Sequence, residues 1–192
     1  MMVEESGRDY YQSLSEMTAV LNSTRAPEDV LRSIVEGVAR AMAAKGCSLL
    51  LLTPDRKNLL QTTNYGLGDQ YIKKGPIFTD KMIAEVLAGR PTAVENVTKD
   101  NRVRNQEQAK KEGVVSLLSV PVMLRGEVLG MMVVYTAQPH HFSEDAIRFV
   151  SAVANLGAIC LENARLYDSA KKDYDALRLE IAEWRASMPS LE

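Results

Sequence analysis

The side chains of this chain that could do chemistry are few and scattered along its 192 residues. Its two cysteines, Cys47 and Cys160, lie far apart in sequence with no histidine near either, so they lack the clustering a metal site needs. Cys47 opens an apolar run and Cys160 lies in an apolar helical stretch, settings in which a free thiol packs as a small hydrophobe. His140 and His141 are the only histidines, and solvated loop histidines are far commoner than surface metal ligands. Serine, histidine and acids all occur, but there is no Gly-x-Ser-x-Gly elbow and no phosphate-cradling glycine loop. Gly66-Leu67-Gly68 is a turn, since no further glycine follows it into a helix. What remains is non-covalent chemistry in the middle third. Tyr65, Tyr71 and Phe78 carry rings able to stack on a flat molecule, and Arg102 and Arg104 carry guanidinium groups suited to a carboxylate or phosphate. An equally good reading of the same residues puts Phe78 in the core and leaves both arginines solvated. No catalytic constellation emerges, and the chain is expected not to be an enzyme.

The elements that must position these residues follow from composition and pattern. Hydrophobic residues make up 46% of the chain, enough to bury the core of one domain. Twenty-three Lys and Arg against 25 Asp and Glu leave a net charge of −2. A protein built on nucleic-acid phosphates or on an anionic membrane surface needs a basic excess, so neither partner is expected. The longest uncharged stretches, 113–124, 128–143 and 149–161, fall short of the roughly 20 continuous apolar residues that span a bilayer. The start, MMVEESGRDYYQ, is polar and acidic rather than a secretory signal, and two cysteines are too few for a disulfide scaffold. A cytoplasmic, soluble domain is expected.

Along the chain, a first helix is predicted over about 8–23, with Tyr10, Leu14, Met17 and Leu21 forming a heptad-like seam. Pro27 opens a second helix with Glu28 and Asp29 in its first turn, burying Val30, Leu31, Ile34, Val35, Val38, Ala41 and Met42 and ended by Gly46. Residues 47–53 and 59–65 read as a hairpin around Pro54-Asp55-Arg56-Lys57-Asn58. Residues 66–79 are irregular, and a helix over 80–88 runs from a Thr79 cap to Gly89, with Met82, Ile83, Val86 and Leu87 inward. A short strand over 92–97 and a polar loop leading into a solvated helix within 100–112 follow. The clearest hairpin joins 114–124 to 127–136 through Arg125-Gly126, and a last helix starts at Ser143. The order gives an α+β fold around a central antiparallel sheet.

The segment SVPVMLRGEVLGMMVVY (119–135) followed by FSEDAIRFVSAVANLGAICLENARLY (142–167) resembles the C-terminal half of a GAF domain, with a looser match in the helix from Pro27, the strand SLLLLTPD and the YGLG turn. The resemblance implies N-terminal helices and a long C-terminal helix packed on one sheet face, with the irregular middle on the other. It implies a ligand pocket between sheet and middle segment, and long irregular stretches in compact domains are commonly functional. Leu117, Ser119 and Pro121 share one strand face by alternation, and in bilin-binding relatives the similar face touches the ligand, so this face is placed toward the pocket with Tyr65, Tyr71, Phe78, Arg102 and Arg104 nearby. Bilin-binding members attach the chromophore to a Cys in a stretch that here reads Arg102-Val103-Arg104-Asn105-Gln106-Glu107, which contains none. The phosphodiesterase-type cyclic-nucleotide signature is broken at Asn96, Lys99 and Phe142, and haem would need an axial histidine that only His140 and His141 offer. The ligand and any cofactor stay unidentified.

The last helix continues past the resemblance. Tyr167, Tyr174 and Ile181 take heptad position a, and Ala170, Leu177 and Trp184 position d. The e sites Lys171, Arg178 and Arg185 are basic and the g sites Asp173 and Glu180 acidic, so a parallel homodimer sets Asp173 against Arg178 and Glu180 against Arg185. An antiparallel pair would put like charges together. The other reading has the stripe packing back on the chain's own first helix. Such a tail resembles the signalling helix that joins GAF domains to histidine kinases, diguanylate cyclases or transcription-factor outputs. The expected division is a helix over 1–26, a GAF-like domain over 27–166 and a coiled-coil tail over 167–192. The expected function is small-molecule sensing or regulation in signal transduction, with an output domain or partner protein. The alternatives are a ligand-free dimerisation scaffold and, last, an enzyme of the free methionine sulfoxide reductase kind.

Overall fold

The computed structural model of the chain describes residues 3–21, 26–73, 80–104 and 106–187, with side chains between 10 and 184. Two helices, α1 (Val3–Leu21) and α2 (Pro27–Ala41), precede the hairpin of β1 (Gly46–Leu52) and β2 (Leu59–Tyr65). Short helices α3 (Asp69–Lys73) and α4 (Asp80–Leu87), strand β3 (Thr92–Val94) and helix α5 (Gln106–Glu112) form the middle. The second hairpin, β4 (Ser116–Leu124) and β5 (Glu127–Thr136), leads into α6 (Glu144–Ser187). The five strands make one antiparallel sheet in the order β2-β1-β5-β4-β3. This is the α+β architecture read from the sequence. Among the described residues no helix is long and apolar enough to cross a membrane.

The sheet is buried on both faces, which is why β4 and β5 read as near-continuous apolar runs. On one face, Leu118, Val120, Val122, Met132 and Val134 meet α2 and α6. Proline at the first position of α2 fixes its φ, and Val30, Leu31, Ile34, Val35 and Val38 then fall on one buried stripe. The helix stops earlier than predicted. Ala41 is its last residue, Met42 caps it and Ala43 takes φ 45°. Gly46 begins β1 instead, because a Cβ there would lie 2.4 Å from the Tyr65 carbonyl oxygen across the pair. The Arg125-Gly126 turn has both residues at positive φ, 51° and 84°, the two-residue geometry that matches strand twist.

Residues 66–79, predicted irregular, contain α3, which positions Tyr71. On the opposite sheet face, here called distal, α3, α4 and α5 cover Leu50, Leu117, Met131, Val133 and Tyr135. The Ser143 hydroxyl accepts the Ala146 N–H at 3.2 Å and starts α6. The first half of α6 buries Ala146, Phe149, Val150, Val153, Ala154 and Ala158, and the Tyr10 ring of α1 stacks on Phe149 at 4.7 Å. Beyond Ala164, every α6 residue described through Trp184 is exposed, Tyr167 at 71% and Leu177 at 54%. The tail does not fold back on α1.

Candidate functional site on the distal face

The alternation of β4 sends Leu117, Ser119 and Pro121 away from α2 and α6, and all three are buried on the distal side. Pro121 lies past Ser119, the end of the β3 pairing, where β4 runs on without β3 and a proline is tolerated. Tyr71 of α3 lies over the same face, its ring edge-on to Tyr135 at 6.0 Å and 89°. The Tyr135 hydroxyl shares a 3.0 Å hydrogen bond with Ser48 Oγ, but the Tyr71 hydroxyl and Ser119 Oγ are buried with no hydrogen-bond partner. Burial pushes both phenols well above the ordinary tyrosine range. For Tyr71, neighbouring Tyr135 and Glu112 add to the rise, while for Tyr135 the Ser48 hydrogen bond partly offsets it. Both phenols therefore keep their protons at physiological pH.

Tyr71 is held from below. Its carbonyl accepts Gln108 Nε2 at 3.1 Å, and Glu112 Oε1 accepts the Gly68 N–H at 2.8 Å with Lys45 Nζ at 3.9 Å from the same oxygen. These ties from α5 fix a helix too short to hold itself.

The remaining sequence-predicted site residues do not join this group. Tyr65 stands on the opposite side of the sheet, paired with Cys47 and packed on the α2 and α6 core. The cause is a bulge: Leu49 pairs with Thr63 but Leu50 with Gln61, so the extra residue Thr62 reverses the alternation between Leu59, which is distal, and Tyr65. Phe78 lies outside the described residues. Arg102 is partly exposed and already paired. Its Nε and Nη2 reach Asp100 Oδ1 and Oδ2 at 3.0 and 2.6 Å, and Nη2 also donates to the Ala93 carbonyl at 3.1 Å. That fork holds the Asp100 carboxyl below its usual range. Arg104 pairs with Asp80 at 2.7 Å in an exposed link from the loop before α5 to the start of α4. Both arginines thus brace the distal layer from outside.

Four contributors escaped the sequence reading: Ser48, Tyr135, Gln108 and Glu112. Ser48 and Tyr135 were findable, since alternation from Cys47 puts Ser48 on the distal face. The helical side chains carry no such signal. Both thiols lie in the helix-side cluster, Cys47 fully buried with its pKa raised by desolvation, and Cys160 Sγ 4.0 Å from the Pro27 carbonyl. His141 pairs with Glu95 at 2.7 Å, and the His140 ring packs on Phe142.

The architecture is thus an antiparallel sheet with long helices on one face and short ones on the distal face. The sequence profile of the GAF domain family matches residues 24–162, and the chain belongs to that family. No curated protein sequence matches it. Among solved structures it is similar to the GAF domain of a phosphoenolpyruvate-protein phosphotransferase from Coxiella burnetii (20% identity, 85% of this chain and 98% of that one, TM-score 0.73). It is also similar to a domain from a protein assigned as a two-component sensor histidine kinase in Sinorhizobium meliloti 1021 (19% identity, 77% and 99%, TM-score 0.66). A third is the phycoerythrobilin-bound GAF domain of a cyanobacterial phytochrome (13% identity, 83% and 97%, TM-score 0.64). At these identities the likeness is one of fold. GAF domains are sensory and regulatory modules of signalling proteins.

Proposed function

We propose that this chain is a non-enzymatic, cytoplasmic sensor that binds a small organic molecule between the distal sheet face and α3–α5 and passes the state of that site into α6. The observation that carries this reading is the pair of buried, unpartnered hydroxyls, Tyr71 Oη and Ser119 Oγ, on one face. A buried polar group without a partner costs about 1–3 kcal/mol, and a ligand bonded to both removes that cost. The phytochrome relative holds a bilin; lacking a cysteine in 102–107, this chain would hold its ligand non-covalently. The tail would pair two copies in parallel through g-to-e charge matches and drive an output domain, a histidine kinase or diguanylate cyclase, in the same chain or a partner.

Native mass spectrometry of the purified protein is the first test, followed by thermal-shift screening of nucleotides, amino acids, organic acids and bilins. A stabilising ligand whose effect is lost in Tyr71→Phe and Ser119→Ala is the expected result; stabilisation by none of them overturns the sensor reading. Sedimentation equilibrium on the intact chain and on one ending at Arg165 tests the dimer. A monomeric intact chain, or a truncated one that still dimerises, overturns it. The second reading, a ligand-free dimerisation scaffold, is favoured by the tight packing of Met82, Val86, Leu117, Met131 and Val133, each fully buried. It predicts a dimer that no ligand stabilises.

A further inference from the structure

The face of α6 turned away from the sheet stays apolar well before the tail begins. Ala152 borders Tyr10 and Leu14 of α1, Leu156 is half-buried, and Ile159, Asn163 and Leu166 are exposed. Their spacings of four, three, four and three continue to Ala170, which is the stripe of a coiled-coil seam. Counted by the three-residue step from a to d, Leu156, Asn163 and Ala170 are a positions in this upper frame and Ala152, Ile159 and Leu166 are d positions. In the tail, Tyr174 and Ile181 are a, and Ala170, Leu177 and Trp184 are d. The two frames disagree. Ala170 is an a position above and a d position below, so four residues are inserted into the heptad count.

We infer that a second copy of this chain lies parallel along α6 from Leu156 to Trp184, with the two Asn163 amides facing each other and the pairing frame changing at Ala170. The inference rests on the dimer reading above and says where the pair forms and how it is built. Three observations choose a second copy as the occupant. The charges flanking the tail seam are self-complementary only in a parallel pair. An asparagine at an a position satisfies itself across a two-fold axis and fixes register and strand number. Alanine at 170, where the frame changes, lets the helices approach closely. From Leu166 to Leu177 the seam steps four, four and three, an eleven-residue repeat of about 3.67 residues per turn, which relaxes the left-handed supercoil where the helix leaves the domain.

The test is disulfide mapping in the full chain with Cys47→Ala and Cys160→Ala as background, introducing Leu166→Cys, Tyr167→Cys, Asp173→Cys or Tyr174→Cys singly and oxidising with copper phenanthroline. Cross-linking severalfold faster at 166 and 174 than at 167 and 173 is expected. Position 167 faster than 166 means the tail frame runs upward unbroken, and 173 faster than 174 means the upper frame runs downward; either of these, or equal rates within a pair, overturns the frame change while leaving the dimer intact. No cross-link at any position, with a monomer in sedimentation equilibrium, overturns the dimer itself. A second measurement needs no cysteine background: Asn163→Asp in the natural sequence places like charges face to face and is expected to weaken dimerisation roughly tenfold. An unchanged dissociation constant would remove Asn163 from the interface.

Discussion

One face of the sheet is closed by helices of 19, 15 and 44 residues, the other by helices of 5, 8 and 7. The long helices carry whole apolar stripes and are welded to β1, β4 and β5 by side-chain packing. The short ones are below the length at which a helix sustains itself, and they depend on individual ties: Gln108 to Tyr71, Glu112 to Gly68, Arg104 to Asp80. Among the described residues, the two buried unpartnered hydroxyls are on the short-helix side, Tyr71 on α3 and Ser119 on the strand face beneath. Weak cover and unmet hydrogen bonds therefore fall on the same side, which is what the proposed sensor function asks of this face.

The sharpest way to break that comparison is to cut equal holes in both layers. Ile34→Ala under the long helices is expected to lower unfolding free energy by about 2–5 kcal/mol in urea titrations. Met82→Ala, at a site just as buried, should cost less because the eight-residue α4 relaxes into the void. Equal losses would show that the two layers are equally stiff.

A smaller effect separates satisfied from unsatisfied hydroxyls within the distal face. Ser48→Ala strands the Tyr135 hydroxyl and is expected to cost about 1–3 kcal/mol, whereas Ser119→Ala removes an unpartnered group and should leave the ligand-free midpoint unchanged or higher. A Ser119→Ala protein as destabilised as Ser48→Ala would mean that Ser119 has a partner.

The smallest effect concerns the outer brace. Arg102 holds the Asp100 carboxyl below its ordinary value, so the pair contributes stability above the usual aspartate range near about pH 4, and loses it as pH falls through the lowered folded value. Asp100→Asn should therefore flatten the acid end of a midpoint-against-pH curve and reduce stability slightly at neutral pH. An identical acid limb in the variant would show that Asp100 does not report there.

What the sequence made legible divides along the same line. The α2 stripe, both hairpins and the start of α6 were readable because each repeats a period over many residues or carries a cap. The direction of Leu117, Ser119 and Pro121 followed from alternation on a strand with no bulge before Val122. Tyr65 went astray at Thr62, where one extra residue reverses the pattern without any marker in composition. Five-residue α3 is too short to show a period, and the ties made by Gln108, Glu112 and Arg102 are tertiary, joining residues that no local spacing relates. Gly46 resembled a helix stop because both helix ends and close strand crossings select glycine.

The continuity of α6 has a mechanical consequence. No proline interrupts it between Glu144 and Ser187, and its one glycine, Gly157, is buried against Leu31 of α2. The part of α6 beyond Arg165 is about 33 Å long at 1.5 Å per residue. A rod of that length pivoting at its root by about 5° moves its far end by roughly 3 Å, comparable to half a helical turn. A subångström rearrangement beside the root is therefore magnified at the tip, and the gain is set by the number of residues in the rod. Shortening the rod by whole heptads would preserve the seam and reduce the stroke in proportion.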